Sequence, residues 1–121
     1  MSNTITVTVC DNELIILAYQ SGASFELCQI LSGNNQPVNV TLDILPGAYQ
    51  TTQVLNGVNQ PLGQTVTQSL PSGTYSLLVL GINWGGPTQF TVNVNDTSYT
   101  LPFTAEGNGL TFNPGPVSIT V

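Results

Sequence analysis

The chain has 121 residues, 40% of them hydrophobic, with six acidic residues and no lysine, arginine or histidine, for a net charge of −6. About a quarter of an average domain is charged; here the share is 5%. Nucleic-acid binding and attraction to anionic lipid therefore lose the cations they depend on, and catalysis loses imidazole, lysine amine and guanidinium.

In chain order, Ile5, Val7 and Val9 alternate with Thr4, Thr6 and Thr8, a first strand of high β-propensity without charge. Asp11-Asn12-Glu13 reads as a turn, residues 14–19 as a continuous apolar run of strand length, and Gln20-Ser21-Gly22 as its end. A short strand over 25–30 carries Cys28, and Ser32-Gly33-Asn34-Asn35-Gln36-Pro37 is a loop by composition. Val38, Val40, Leu42 and Ile44 alternate with outward Asn39, Thr41 and Asp43 until Pro46-Gly47. The pattern next predicts a strand over 48–55 and a type I′ hairpin at Asn56-Gly57. After Pro61 and Gly63, alternation resumes briefly at Thr65-Val66-Thr67.

Residues 70–95 form the stretch around which the rest is organised. Tyr75, Leu77 and Val79 occupy one face of a strand, while Leu78 and Leu80 occupy the other, so both faces are apolar and a central position is expected. The loop Ile82-Asn83-Trp84-Gly85-Gly86-Pro87 follows and holds the only tryptophan. Phe90, Val92 and Val94 then alternate with Gln89, Thr91, Asn93 and Asn95, the pattern of a strand half in a core and half in water. Asn95-Asp96 signals a hairpin. Tyr99, Leu101 and Phe103 face inward, with Pro102 marking an edge or a bulge. Gly107-Asn108-Gly109 turns, Pro114-Gly115-Pro116 punctuates, and Val117, Ile119 and Val121 close the chain.

These elements predict one all-β domain over 1–121, an antiparallel β-sandwich of about nine or ten short strands, immunoglobulin-like or jelly-roll-like. The length suffices for a core without a disulfide or metal. Without cations no side-chain salt bridge forms within the chain, so stability rests on apolar burial and sheet hydrogen bonds. Leu45-Pro46-Gly47-Ala48-Tyr49, running to Gly57, is similar to Leu70-Pro71-Ser72-Gly73-Thr74-Tyr75, running to Gly81, as if one kind of turn launched two strands. The Leu-Pro-x-Gly-x-Tyr turn before an apolar strand also resembles the turn preceding a late strand of immunoglobulin-like surface modules. That resemblance covers about a dozen residues and implies a fold type only.

Candidate chemistry is sparse. Trp84 has three readings: a cover for the end of the core, a subunit contact, or a platform stacking on the apolar side of a sugar while Asn83 meets hydroxyls across Gly85 and Gly86. Gly85-Gly86 is no phosphate loop, since no lysine or helix follows. Asp11 and Glu13 fall on one side of an extended segment, as solvated turn residues, as Ca²⁺ ligands with Asn12, or as an acid–base pair. Asp96 belongs to its hairpin turn. Cys10 and Cys28 are either one disulfide or two buried thiols; no basic neighbour exists to make a thiol reactive, and no imidazole to activate a hydroxyl. Asn39-Val40-Thr41 and Asn95-Asp96-Thr97 are glycosylation sequons, relevant in a secreting eukaryote.

The sequence thus predicts a non-enzymatic, self-associating structural protein without a cofactor, forming a homo-oligomer or ordered assembly. Its surface of neutral polar residues lacks the charged residues that usually blunt sheet edges. The expected assembly edges are the uncharged first strand, at Thr4, Thr6 and Thr8, and the last, at Ser118 and Thr120. The alternative is a carbohydrate-binding, lectin-like module using the Trp84 loop; a third is a protease-resistant secreted effector or toxin, since trypsin finds no site. The expected partner is a second copy or a glycan, with no nucleic acid and no membrane span. No basic n-region or long apolar run marks a secretory signal, which leaves a cytoplasmic, a non-classically exported and a mature extracellular protein all open.

Overall fold

The computed structural model describes residues 3–32, 36–58, 62–106 and 108–121. Among these residues there are eleven strands and no helix: β1 (Asn3–Cys10), β2 (Glu13–Gln20), β3 (Ala23–Leu31), β4 (Gln36–Pro46), β5 (Gln53–Asn56), β6 (Gly63–Leu70), β7 (Thr74–Asn83), β8 (Pro87–Val94), β9 (Thr97–Glu106), β10 (Gly109–Phe112) and β11 (Val117–Thr120). One sheet has the order β6-β4-β1-β8-β9; the other runs β10-β7-β2-β3-β5, with β11 also on β7. The two mixed sheets pack as a β-sandwich, as the alternating sequence predicts. The expected loop at Gly33-Asn34-Asn35, the punctuation at Pro61, Gly107 and the side chain of Phe103 lie outside the described residues.

Alternation builds the core. Ile5, Val7, Leu42, Ile44, Phe90 and Val92 point inward from the first sheet. Leu14, Ile16, Leu27, Ile30, Leu77 and Val79 meet them from the second. Each such side chain, taken out of water, contributes about 1.5–3 kcal/mol. A register shift between Val7 and Val9 reverses the parity of β1, so Cys10 reaches the core and Val9, expected inside, is only half-buried. The shift opposite Ile16 and Leu17 acts likewise on β3 and buries both Leu27 and Cys28.

Gly81 lies where β7 is most crowded. Phe90 and Phe112 stack at 5.4 Å with planes 11° apart, and a Cβ added to Gly81 would stand 2.7 Å from Phe112 Cβ and 2.8 Å from the Phe90 ring. Only glycine fits beneath that pair.

Two turns match expectation. Asn95 takes a φ of 53° in the hairpin between β8 and β9, and its amide is tied to β1, accepting from Thr4 N at 3.0 Å and donating to Asn3 Oδ1 at 3.1 Å. Tyr75 Oη donates to Pro71 O at 2.6 Å, the tyrosine-corner hydrogen bond to a backbone group a few residues upstream. Pro102 sits on an edge strand that also shifts register against β8.

Two expectations fail together. No hairpin forms at Asn56-Gly57, because β5 pairs parallel with β3 in one sheet and β6 pairs parallel with β4 in the other. The chain crosses between sheets there: Gly57 N donates to Leu31 O at 2.7 Å and Asn56 Oδ1 accepts from Val58 N at 3.1 Å. The strand predicted over 48–55 shrinks to β5, since residues 47–52 are needed to span the side of the sandwich. Consequently the turn at Pro46-Gly47 launches no strand, although Gly47 and Gly73 share φ values of 159° and 158°. Tyr49 instead donates to Glu26 O at 2.8 Å and packs on Phe25.

Candidate functional site

The β7–β8 loop is held from within. Asn83, 1% exposed, donates through Nδ2 to Gly86 O at 2.7 Å and accepts from Gly85 N at 3.2 Å. Its amide is therefore committed to the loop and does not face a ligand as expected. Trp84 N donates to Asn12 Oδ1 at 2.7 Å, which fixes the backbone while the indole stays 60% exposed. Trp84 therefore does not cover the core. Gly85 and Gly86, with φ of 140° and 79°, make the tight return that the chain needs here.

Asp11 and Glu13 do not converge. Asp11 turns inward and is 3% exposed, with the Thr88 hydroxyl beside its carboxylate. Burial raises its carboxyl above the ordinary 3.8, offset only in part by Thr88 and the backbone of Asn12. Glu13 lies on the outer side of β2, where it accepts from Gln29 Nε2 at 2.7 Å. Among the described residues no three carboxylates, thiols or imidazoles gather as a metal site.

Cys10 and Cys28 are free and buried, so the alternative of a disulfide is not realised. Cys10 Sγ donates to Asp11 O at 3.3 Å, and Ser32 Oγ lies between the carbonyl oxygens of Cys10, at 2.8 Å, and Asp11. Burial pushes both thiols up to about 12, away from nucleophilic chemistry.

The expected edge at Thr4, Thr6 and Thr8 is not an edge. β1 is paired with β4 on one side and β8 on the other, because an uncharged strand of high β-propensity is as well suited to the middle of a sheet. Thr4 Oγ1 donates to Asp43 Oδ1 at 3.0 Å on the outer face. Ser118 and Thr120 do lie on an edge strand, β11.

What the residue-by-residue reading missed is a face. On the outer side of the second sheet, Ile15 lies opposite Leu80 and Leu17 opposite Leu78, while Leu110 lies opposite Ile82. With Tyr19 these side chains form one apolar surface across β10, β7 and β2. The row on β7 is half-buried only by its neighbours, whereas Leu110, at the margin, is 56% exposed. A shallow hollow of about 560 Å³ opens at one end between Leu17, Tyr19, Ala23 and Leu78. The signal lies in the apolar run at 14–19, which reads as a strand, and in the strand from Leu77 onward, whose two apolar faces read as a central position; in a two-layer sandwich one row of each is left outside.

Among the described residues no helix is long and apolar enough to cross a membrane. No protein family, curated protein or solved structure matches the chain.

Proposed function

We propose that the protein is a non-enzymatic structural unit that associates with further copies of itself through the outer face of the β10-β7-β2-β3 sheet. The observation that supports this reading is the contiguous apolar surface of Ile15, Leu17, Tyr19, Leu78, Leu80 and Ile82, continued by Leu110. Contiguous exposed apolar surface of several hundred Å² marks an interaction site.

A second copy suits this face best. A twisted sheet packs well against another of the same twist at an aligned angle, and identical faces meet about a two-fold axis, with Glu13, opposite Ile82, and Glu26, opposite Leu17, at the polar margin of the apolar surface. Four strands at about 4.8 Å spacing and eight residues at about 3.3 Å span roughly 500 Å², an area that includes the polar outer row of β3 at Ser24, Glu26 and Gln29 beside the apolar rows. Face-to-face contact then buries about 1,000 Å² in total, the lower limit of a specific interface. The association is reversible at that size. Light scattering across a concentration series should give a mass that rises above 12.8 kDa with concentration; a chain monomeric throughout overturns the reading.

The Trp84 loop supports a second reading, a sugar-stacking platform, because its indole is exposed on a backbone fixed by Asn12 and Asn83. Glycan-array binding lost in Trp84→Ala is its expected result. An empty array, or binding that survives the substitution, rejects it.

A further inference from the structure

The free edges of the two sheets are not equally protected. β9 carries Pro102 and a register shift; β5 has four residues; β10 and β11 have four each, separated by a segment containing Pro114 and Pro116. These are ordinary devices against edge-to-edge pairing. β6 has none of them. It runs for eight residues, GQTVTQSL, without charge or proline, in unbroken parallel register from Asn39 opposite Gly63 to Pro46 opposite Leu70.

Its backbone polarity follows from two hydrogen bonds. Leu62 O accepts from Asn39 N at 3.0 Å and Leu70 O from Gly47 N at 2.8 Å, so the even-numbered residues turn their N–H and C=O toward β4. In a strand these directions alternate, and Gly63, Thr65, Thr67 and Ser69 turn theirs outward. Ser69 N is already satisfied by Gln68 Oε1 at 3.0 Å. Gln68 Nε2 donates to Leu27 O at 3.0 Å and Thr51 O at 2.8 Å, tying this end of the strand to the crossing segment 47–52. Gly63, Thr65 and Thr67 remain open, with no partner among the described residues.

We propose that β6 is a second self-association element, pairing antiparallel with β6 of another copy about a two-fold axis at Thr65, so that two five-stranded sheets become one of ten strands. The inference rests on the reading of the protein as self-associating, but on a different surface. In this register Thr65 faces Thr65 of the second copy and Gly63 faces Thr67, which gives about six backbone hydrogen bonds and leaves the capped Ser69 outside. Charge does not oppose it. The acidic residue nearest the junction, Asp43, lies one strand back opposite Thr67, so the two copies' carboxylates stand three strand spacings apart across the sheet and four residues apart along it, roughly 19 Å in all, beyond the screening length of about 8 Å. Two different two-fold contacts on one chain carry assembly past a dimer, to a closed tetramer where the axes intersect at right angles and to a filament where they do not intersect.

The test isolates the edge by disabling the face. Leu80→Asp should reduce the wild-type assembly to a dimer of twice the 12.8 kDa chain mass, and adding Thr65→Pro should give a monomer. In the Leu80→Asp background, Thr65→Cys should crosslink into a dimer with glutathione disulfide, and Thr67→Cys, facing Gly63, should crosslink at least tenfold more slowly. This arm does not depend on whether the proline variant folds. Equal crosslinking of the two cysteines, or a dimer unaffected by a folded Thr65→Pro chain, overturns the edge contact. If Leu80→Asp alone gives a monomer, the edge contact is wrong and the face contact stands; a wild-type chain monomeric at every concentration overturns both.

Discussion

The two outer faces of the sandwich carry different chemistry on the same kind of scaffold. On the β1 side the outward row is Thr4, Thr6, Thr41, Asp43, Thr91 and Asn93, side chains that hydrogen-bond to water or to each other, as Thr4 does with Asp43. On the β2 side it is Ile15, Leu17, Leu78, Leu80 and Ile82, with Glu13 opposite Ile82 at one end. Both sheets contribute equally apolar inner rows, so core formation does not explain the difference. Apolar residues on the far side of an uncovered sheet add little to folding of a monomer and invite contact with another molecule. The threonine face presents hydroxyls and amides to water; the leucine face is the one on which the proposed self-association rests.

The largest expected effect contrasts those faces directly. Leu80→Asp puts a carboxylate into the proposed contact, in a chain with no cation to pair with it, and should weaken face-to-face association at least 100-fold, a cost of about 2.7 kcal/mol or more. Thr6→Asp, on the other face, should leave the dissociation constant within about twofold. Equal effects in analytical ultracentrifugation would erase the distinction.

One residue along β7 the expected consequence reverses. Gly81→Ala drives a methyl into the Phe90 and Phe112 stack and should destabilise the fold by about 1–3 kcal/mol, read by urea titration, while chains that remain folded associate as before. A stability loss shared by Leu80→Asp would mean that the outer row supports the core after all.

A smaller effect concerns the acidic residue held inside. Because burial raises the Asp11 carboxyl above 3.8, the folded chain binds a proton there more readily than the unfolded chain. Its contribution to stability is therefore fully present below pH 3.8 and is lost as pH rises through the raised value. Asp11→Asn should raise the melting temperature at pH 7, with the gap to wild type closing toward pH 4. The cysteines act in the same sense at higher pH, since thiols pushed from 9.0 to about 12 lose stability as pH rises above 9.0 and through that window. The smallest effect is on association itself. With a net charge of −6 at pH 7 and an isoelectric point near 4.1, face-to-face affinity should change little between pH 7 and pH 5 and rise severalfold from pH 5 to pH 4 in low salt, where carboxylates take up protons.

Period-2 alternation made most strands legible, together with the core rows at Ile5 and Val7, Leu42 and Ile44, and Phe90 and Val92, and the hairpin at Asn95. These are local matters of which side chain points where. Bulges were not legible, because the extra residue at Val7–Val9 looks like continued alternation; neither was the crossing at Asn56-Gly57, where a sequence suited to a tight turn serves a connection between sheets. At the candidate site, the apolar run of β2 is legible as a strand and that of β7 as a central strand with two apolar faces, but not which of their rows stays outside. The edge at Thr4, Thr6 and Thr8 was misplaced because an uncharged β-prone strand carries no mark of having one neighbour or two.

By itself the sequence determined the all-β class, the inward rows, the lack of any side-chain salt bridge and the exclusion of chemistry that needs a cationic side chain, because each depends on residue type and spacing of two. Only the tertiary structure decided strand order, the parallel pairs β3 with β5 and β4 with β6, the open edge at β6 and the uncovered face over β7 and β2. Those depend on which distant segments become neighbours, and the number of layers determines whether an apolar row ends up inside the protein or on its surface.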